Sequence, residues 1–163
     1  MAYVQRSDYS RTISNVDLRD LLEEANEFFQ GKDEQTVLDE AGAMAEAKIR
    51  MFLSSVYDMD SEFSKDATTI PDSREQNILH CYLTIAVYHL HFVINPRDIP
   101  ELRQDAFDSC ISTLEKIRDG ELVIQVPEKE DGNSRLGQFS GACKFISKPF
   151  RDPLVFRDDQ ILP

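Results

Sequence analysis

The sequence lacks several features on which common protein classes depend. Its 163 residues contain no tryptophan, three cysteines and six glycines. The cysteines, Cys81, Cys110 and Cys143, are odd in number and far apart, so neither a secreted disulfide framework nor a paired zinc motif is indicated. The glycines are scattered and no GK[ST] motif occurs, so the sequence gives no support for a phosphate-binding loop.

A long hydrophobic run is also missing. Residues 1–13 are polar and mixed in charge, and they lack the apolar stretch of a secretory signal. The most apolar run, Cys81 to Ile94, is shorter than the roughly 20 residues that cross a bilayer. We therefore expect a core helix here, and a cytosolic protein that makes no contact with a membrane.

Positive charge is scarce. The chain has 18 Lys and Arg against 30 Asp and Glu, which gives a net charge of −12. Nonspecific affinity for nucleic acid comes mainly from Lys and Arg that neutralise phosphates, so this composition disfavours it. The acidic surplus either keeps the protein soluble or repels DNA that passes close by.

Apolar residues that recur every three or four positions predict an all-α fold, a small bundle of about four helices with an extended C-terminal arm. Caps and breaks place the helices from Ser14 to Gly31, from Asp33 to Val56, from Asp72 to Asn95, and from Pro100 to Gly120. The chain then divides into an N-terminal segment (1–13), the helical bundle (14–120), and a C-terminal part (121–163) with a short strand-like piece, a loop and the arm.

The second predicted helix has the clearest pattern. Its stripe comprises Leu38, Ala41, Ala45, Ile49, Phe52 and Val56. Gly42 and the alanines around it should let another helix approach closely, which would offset the helix-weakening effect of glycine. Beyond this helix we expect a polar loop from Tyr57 to Ile70 and, after the fourth helix, a strand-like piece from Leu122 to Val126.

Side chains that could carry chemistry do not converge in the sequence. His89 and His91 are two residues apart on a predicted helix, so they point in different directions, and we expect His89 in the core. The acidic run from Asp58 to Glu62 lacks the central glycine and distant glutamate of a calcium loop, which favours a solvated loop. Cys81 and Cys110 lie on apolar stripes and are expected to be small core residues. We therefore predict no catalytic, cofactor or metal site, and no enzyme.

The C-terminal arm has the opposite charge to the rest of the chain. Residues 144–157 carry a net charge of +3, whereas residues 1–143 carry −13. A basic segment with spaced phenylalanines is suited to docking on an acidic partner, because aromatic anchors fill pockets while charges set orientation. The predicted partner-binding residues are Lys144, Phe145, Phe150, Arg151, Leu154 and Phe156. The alternative is that the arm folds back on its own bundle.

Several of these elements occur together in one known family. They are the stripe Ala41, Ala45, Ile49, Leu53 and Tyr57, then Pro71, the apolar helix Ile78 to Phe92, Ile117 with Gly120, and the basic aromatic segment Phe145 to Phe156. In this pattern the chain resembles the head-tail connector, or head-completion adaptor, proteins of tailed bacteriophages, especially the Mu-like kind.

The resemblance implies a structural virion protein with no cofactor and no chemical step. Such a subunit forms a ring, in similar proteins dodecameric, below the portal protein in the neck of the virion, and it is assembled in the host cytoplasm. Its partners would be the portal, adjacent copies of itself, and a downstream stopper or tail-completion protein, while DNA passes through without specific binding. Two other functions remain open, a cellular helical interaction or regulatory module and an enzyme with an unfamiliar site.

Overall fold

A computed structural model describes residues 3–28 and 32–129, and it confirms the predicted all-α fold. The described elements are an N-terminal 3-10 helix (Arg6–Arg11), α1 (Asn15–Phe28), α2 (Glu34–Leu53), α3 (Met59–Phe63), α4 (Gln76–Ile94) and α5 (Glu101–Asp119). Four of these helices are long, and the described part of the chain contains no strand.

Local capping explains where two of the long helices begin and end. The Ser14 hydroxyl accepts a hydrogen bond from the Asp17 amide at 3.1 Å, which satisfies a free donor in the first turn of α1. Gly120 ends α5 with φ at +80°, a left-handed conformation that glycine adopts without strain, and its N–H donates to the Ile117 carbonyl. Both ends agree with the sequence prediction.

The helix α4 lies at the centre of the bundle and packs against α1, α2 and α5. Ten of its residues between Ile78 and Leu90 are buried, which confirms the predicted core helix. Among the described residues it is the one helix long and apolar enough to cross a membrane by length and composition, and 56% of it is buried inside the protein.

The helices α2 and α4 approach closely where Gly42 of α2 faces Tyr82 of α4. A Cβ atom at Gly42 would lie 3.3 Å from the Tyr82 Cζ and would overlap the Tyr82 hydroxyl. Ala41 and Ala45, on the same helix, are also buried. The small residues of α2 therefore let α4 approach closely, as predicted.

A predicted loop and a predicted strand-like piece differ from the structure. Residues 57–70 contain the short helix α3, because Asp58 caps it by accepting a hydrogen bond from the Ser61 amide at 3.2 Å. Residues 122–126 do not form a strand; Ile124 and Val126 are buried against the core instead. The chain then returns to the end of α2, where the Asp58 amide donates to Pro127 and the Lys129 amide to Val56.

Two helix boundaries and two residues of the predicted apolar stripes also differ from the sequence prediction. The second helix ends at Leu53 rather than Val56, and α4 begins at Gln76 because the Asp72 carboxylate binds Arg74 instead of capping the helix. Two residues on predicted stripes, Phe92 and Leu102, are 50% and 74% exposed. Both lie in the terminal turns of their helices, beyond the part that neighbouring helices cover.

Candidate functional site

The partner-binding residues predicted from the sequence, Lys144, Phe145, Phe150, Arg151, Leu154 and Phe156, lie outside the described residues. Two other regions of the molecule have unusual surface or buried chemistry. They lie at opposite ends of α4, one before its first turn and one around its last turns.

A buried ionic cluster, here called the polar clasp, lies before the first turn of α4 and consists of Tyr3, Asp8, Glu62, Asp72 and Arg74. The Arg74 side chain is only 3% exposed. Its guanidinium donates two hydrogen bonds to Asp8, at 2.9 and 3.2 Å, and two to Asp72, both at 2.9 Å. A further bond of 2.7 Å runs from Arg74 to the Tyr3 carbonyl. One arginine thus joins the N-terminal segment to the connection before α4.

The second half of the clasp centres on Glu62 of α3, which is fully buried. Its carboxylate accepts hydrogen bonds from the Tyr3 hydroxyl at 3.0 Å and from the Glu75 amide at 2.8 Å, and it forms an ion pair with Lys65. A carboxylate can be buried only when such partners replace water. The prediction of a solvated loop around Glu62 is wrong, because Tyr3 and Glu75 lie 59 and 13 positions away in the chain and no local pattern indicates that they bind this carboxylate.

Electrostatic interactions in the clasp favour the charged forms of Asp8 and Asp72 and the neutral form of Tyr3. Hydrogen bonds from Arg74 hold the pKa of Asp72 well below its usual range. Burial opposes ionisation of Asp8, but the bonds from Arg74 outweigh it and the pKa of Asp8 is lowered as well. Burial and the adjacent Glu62 carboxylate raise the pKa of the Tyr3 hydroxyl, which stays neutral and donates. These groups bind one another, so the clasp holds the fold together.

The remaining candidates for chemistry also have structural partners. Asp60, in the acidic run, forms an ion pair with Arg50 at 2.5 Å. Cys81 and Cys110 are both buried, as predicted, and the adjoining Cys110 thiol together with burial raises the pKa of Cys81. Among residues 3–28 and 32–129, no group of three or more His, Cys, Asp or Glu side chains could hold a metal ion.

At the other end of α4 an apolar groove of about 590 Å³ opens between its last turns and the first half of α2. We call it the α2/α4 groove. It is lined by Val37, Glu40, Ala41, Ala43, Met44, His89, Leu90, Phe92 and Val93. Its volume is within the range of pockets that enclose a drug-sized ligand, about 300–1,000 Å³. The groove has room for more than one side chain of a binding partner.

The groove wall combines buried and exposed apolar residues. Met44 is 56% exposed and Phe92 is 50% exposed, whereas Val37 and Leu90 are buried. His89, expected in the core, is half-buried and lines the groove; burial and the nearby Lys48 lower its pKa, which favours the neutral imidazole. Exposed apolar residues that adjoin a concave surface are typical of interaction sites.

Aromatic rings hold the last turns of α4 in place beside the groove. Tyr88 stacks on Phe107 of α5 with 4.1 Å between ring centroids, and on Phe92 with 6.4 Å. Offset stacks of this kind add about 0.5–1.5 kcal/mol each beyond the area they bury. The groove is therefore supported from α5, and Phe92 is held in position although half of it is exposed.

A comparison with known families identifies the relatives of this helical chain. The family model described as Bacteriophage Mu, Gp36 matches residues 3–141, most of the chain. The chain belongs to the bacteriophage Mu Gp36 family. This membership makes it a bacteriophage protein of the structural or morphogenetic kind. No curated protein and no solved structure matches the chain.

The match to the Gp36 family model has an informative boundary. It includes the clasp and the groove, and it ends at residue 141. The basic aromatic segment that begins at Lys144 lies beyond it, so the suggested likeness of that segment to the family is not part of the match. The Mu-like resemblance of the helical body is confirmed at the level of the family.

Proposed function

We propose that this Gp36-family chain is a head-tail connector subunit, which forms a ring below the portal and bridges the head to the tail-attachment proteins. The observation that carries the proposal is the family match across the helical body. Membership of a phage family favours this function over the cellular interaction module.

Two properties of the chain support the proposal. The α2/α4 groove gives each subunit an apolar surface suited to protein contact. Residues 1–143 carry a net charge of −13, so a channel formed by such subunits would repel the DNA backbone and let it pass without specific binding. The proposed role involves no chemical step and no cofactor, and its partners are the portal, neighbouring copies and a downstream stopper or tail-completion protein.

The proposal can be tested by cryo-electron microscopy of portal particles from the same phage, incubated with the full-length chain or with a chain truncated after Gly141. We expect ring density below the portal with the full-length chain. A thermal melt of both chains serves as the control, because equal midpoints show that truncation leaves the bundle intact.

The two chains separate the possible outcomes. Density only with the full-length chain would support a connector that docks through its C-terminal arm. Equal density with both chains would keep the connector function and exclude the arm as the docking element. If neither chain binds the portal, the connector function is wrong.

A further inference from the structure

We propose that the α2/α4 groove of one copy binds the C-terminal segment of a second copy, residues 144–157. The inference rests on the connector function proposed above and identifies the surface that joins neighbouring subunits. It follows from three properties of the groove, namely its chemistry, its dimensions and its charge, together with the contact between copies that a ring requires.

The chemistry of the groove matches that of the segment. Of the nine residues that line the groove, only Glu40 and His89 are ionisable. The segment supplies apolar side chains at Phe145, Phe150, Leu154 and Phe156. Such side chains bind best as anchors in a preformed apolar pocket, where most of their surface leaves water.

The dimensions agree as well. The groove follows α2 from Val37 to Met44, which is about 10 Å at the helical rise of 1.5 Å per residue. Pro149 and Pro153 favour an extended backbone, and four extended residues span about 12 Å at 3.1 Å each. Phe150 and Leu154 are therefore spaced to occupy the two ends of one groove.

Charge complementarity favours the same pair of surfaces. Glu40 is the acidic residue that lines the groove, and residues 33–46 around it contain five acidic residues and no basic one, while Lys48 lies near His89. Glu40 pairs with Lys32 at 2.6 Å, but both side chains are more than 40% exposed, and exposed pairs of this kind contribute only about 0–1 kcal/mol. An incoming segment of net charge +3 can replace Lys32 as the partner of Glu40 at little cost.

The connector function makes a second copy the source of the segment, because the subunits of a ring must contact one another. The last described residue is Lys129, whose amide donates to Val56 just beyond the C-terminal end of α2. The groove lies 12 to 19 residues earlier along the chain, at roughly 18–28 Å. Residues 130–143, at about 3.3 Å each, are long enough to reach the groove of the same copy or of a neighbour, and the labelled mixture described below distinguishes the two. A contact between unlike surfaces of this kind joins copies head to tail and closes into a ring when the rotation is suitable.

The test uses the full-length chain with Phe150→benzoylphenylalanine, an aromatic photo-cross-linker that keeps the proposed anchor. Light and ¹⁵N-labelled copies are mixed before irradiation, and the cross-linked peptides are identified by mass spectrometry. We expect cross-links from position 150 to the groove residues of α2 or α4, in peptide pairs that carry one light and one heavy partner.

Two matched variants show whether the groove is the acceptor. Met44→Lys places a positive charge in the groove, whereas Met51→Lys places the same charge on the same helix outside it; both methionines are more than half exposed. We expect Met44→Lys to lower the cross-link yield about tenfold or more, because it removes an apolar contact and repels the basic segment, and Met51→Lys to leave the yield unchanged.

Every other outcome overturns the inference. Pairs that carry only one label would show that the segment binds the groove of its own chain. Cross-links elsewhere, no cross-links, or equal yields in the two lysine variants would exclude the groove as the acceptor. None of these results depends on the portal, so they leave the connector function to be decided by ring density below the portal.

Discussion

The two ends of α4 differ in which side chains they bury and which they leave exposed to water. Before its first turn, the clasp buries Arg74 and Glu62, and each has several hydrogen-bond partners. Around its last turns, Met44 and Phe92 remain half-exposed along an open groove. Burial of charge with full pairing fixes a single arrangement of the chain, whereas an apolar surface left open to water is available to a partner. The first end of α4 therefore maintains the fold, and the second is suited to binding.

The largest expected effect comes from breaking the clasp. Arg74→Met removes five hydrogen bonds and leaves Asp8 and Asp72 without their main cation. Removing one partner of a buried ion pair costs about 3–5 kcal/mol, and we expect about 3 because Asp72 remains partly solvated. Urea unfolding measures the change. Arg118→Met, at an exposed pair, is the control, and equal losses in both variants would show that the clasp does not hold the fold.

The close approach at the middle of α4 gives the next largest effect. Gly42→Ala would force the new methyl group against the Tyr82 hydroxyl, and we expect a loss of about 1–3 kcal/mol in the free energy of unfolding. Tyr82→Phe removes that hydroxyl, so the double variant should recover much of the loss relative to Tyr82→Phe alone. An additive double variant would mean that another neighbour limits the space.

A smaller effect should appear in acid. The pKa values of Asp8 and Asp72 are lowered in the folded chain, so these carboxylates stabilise it above their unfolded pKa, near 3.9, and lose this contribution as the pH falls toward 2. Thermal melts between pH 5 and pH 2 should show the decline. It should be shallower in Asp72→Asn, and an unchanged slope would exclude Asp72 as a source.

The smallest effect on stability is expected at the groove. Met44→Lys and Met51→Lys change exposed side chains, so each should alter the free energy of unfolding by less than about 0.5 kcal/mol. Urea unfolding of the two variants provides the measurement. A loss above about 1 kcal/mol in Met44→Lys alone would show that the groove contributes to the core, and would remove the contrast between the two ends of α4.

The sequence predicted the parts of the fold that depend on neighbours along the chain. The apolar periodicity of the four long helices, the Ser14 cap and the Gly120 turn all depend on residues within one or two turns of each other. The close packing at Gly42 was predicted as well, because small residues clustered beside an apolar stripe leave room for a neighbouring helix.

The clasp was missed because its members are far apart in the sequence. Tyr3 and Glu62 are separated by 59 residues, and Asp8 and Arg74 by 66. No local pattern distinguishes a carboxylate that meets such a distant partner from one on a solvated loop. Residues 1–13 are polar on average, so the burial of Tyr3, Tyr9 and Ile13 was not predicted.

The groove was missed for a related reason. An apolar stripe predicts that each residue at helical spacing contacts another helix. Phe92 has this spacing, yet it lies in the last turn of α4 and half of its side chain is exposed. One signal was present: Met44 is a large apolar residue that lies off the predicted α2 stripe. Residues of this kind on a well-defined amphipathic helix are worth testing as contact positions.

Because burial decreases along α4, the amides of this one helix should exchange with solvent hydrogen by two different routes. Amides from Ile78 to Leu90 lie in the core and should exchange only when the bundle opens, whereas those of the last turn, at Phe92 and Val93, should exchange through local fraying. A partner that fills the groove of the folded chain would slow the core amides, because it lowers the population of the open bundle, and it would also protect the last turn against fraying. A general gain in stability would slow the core amides alone, so a single peptide map could separate the two.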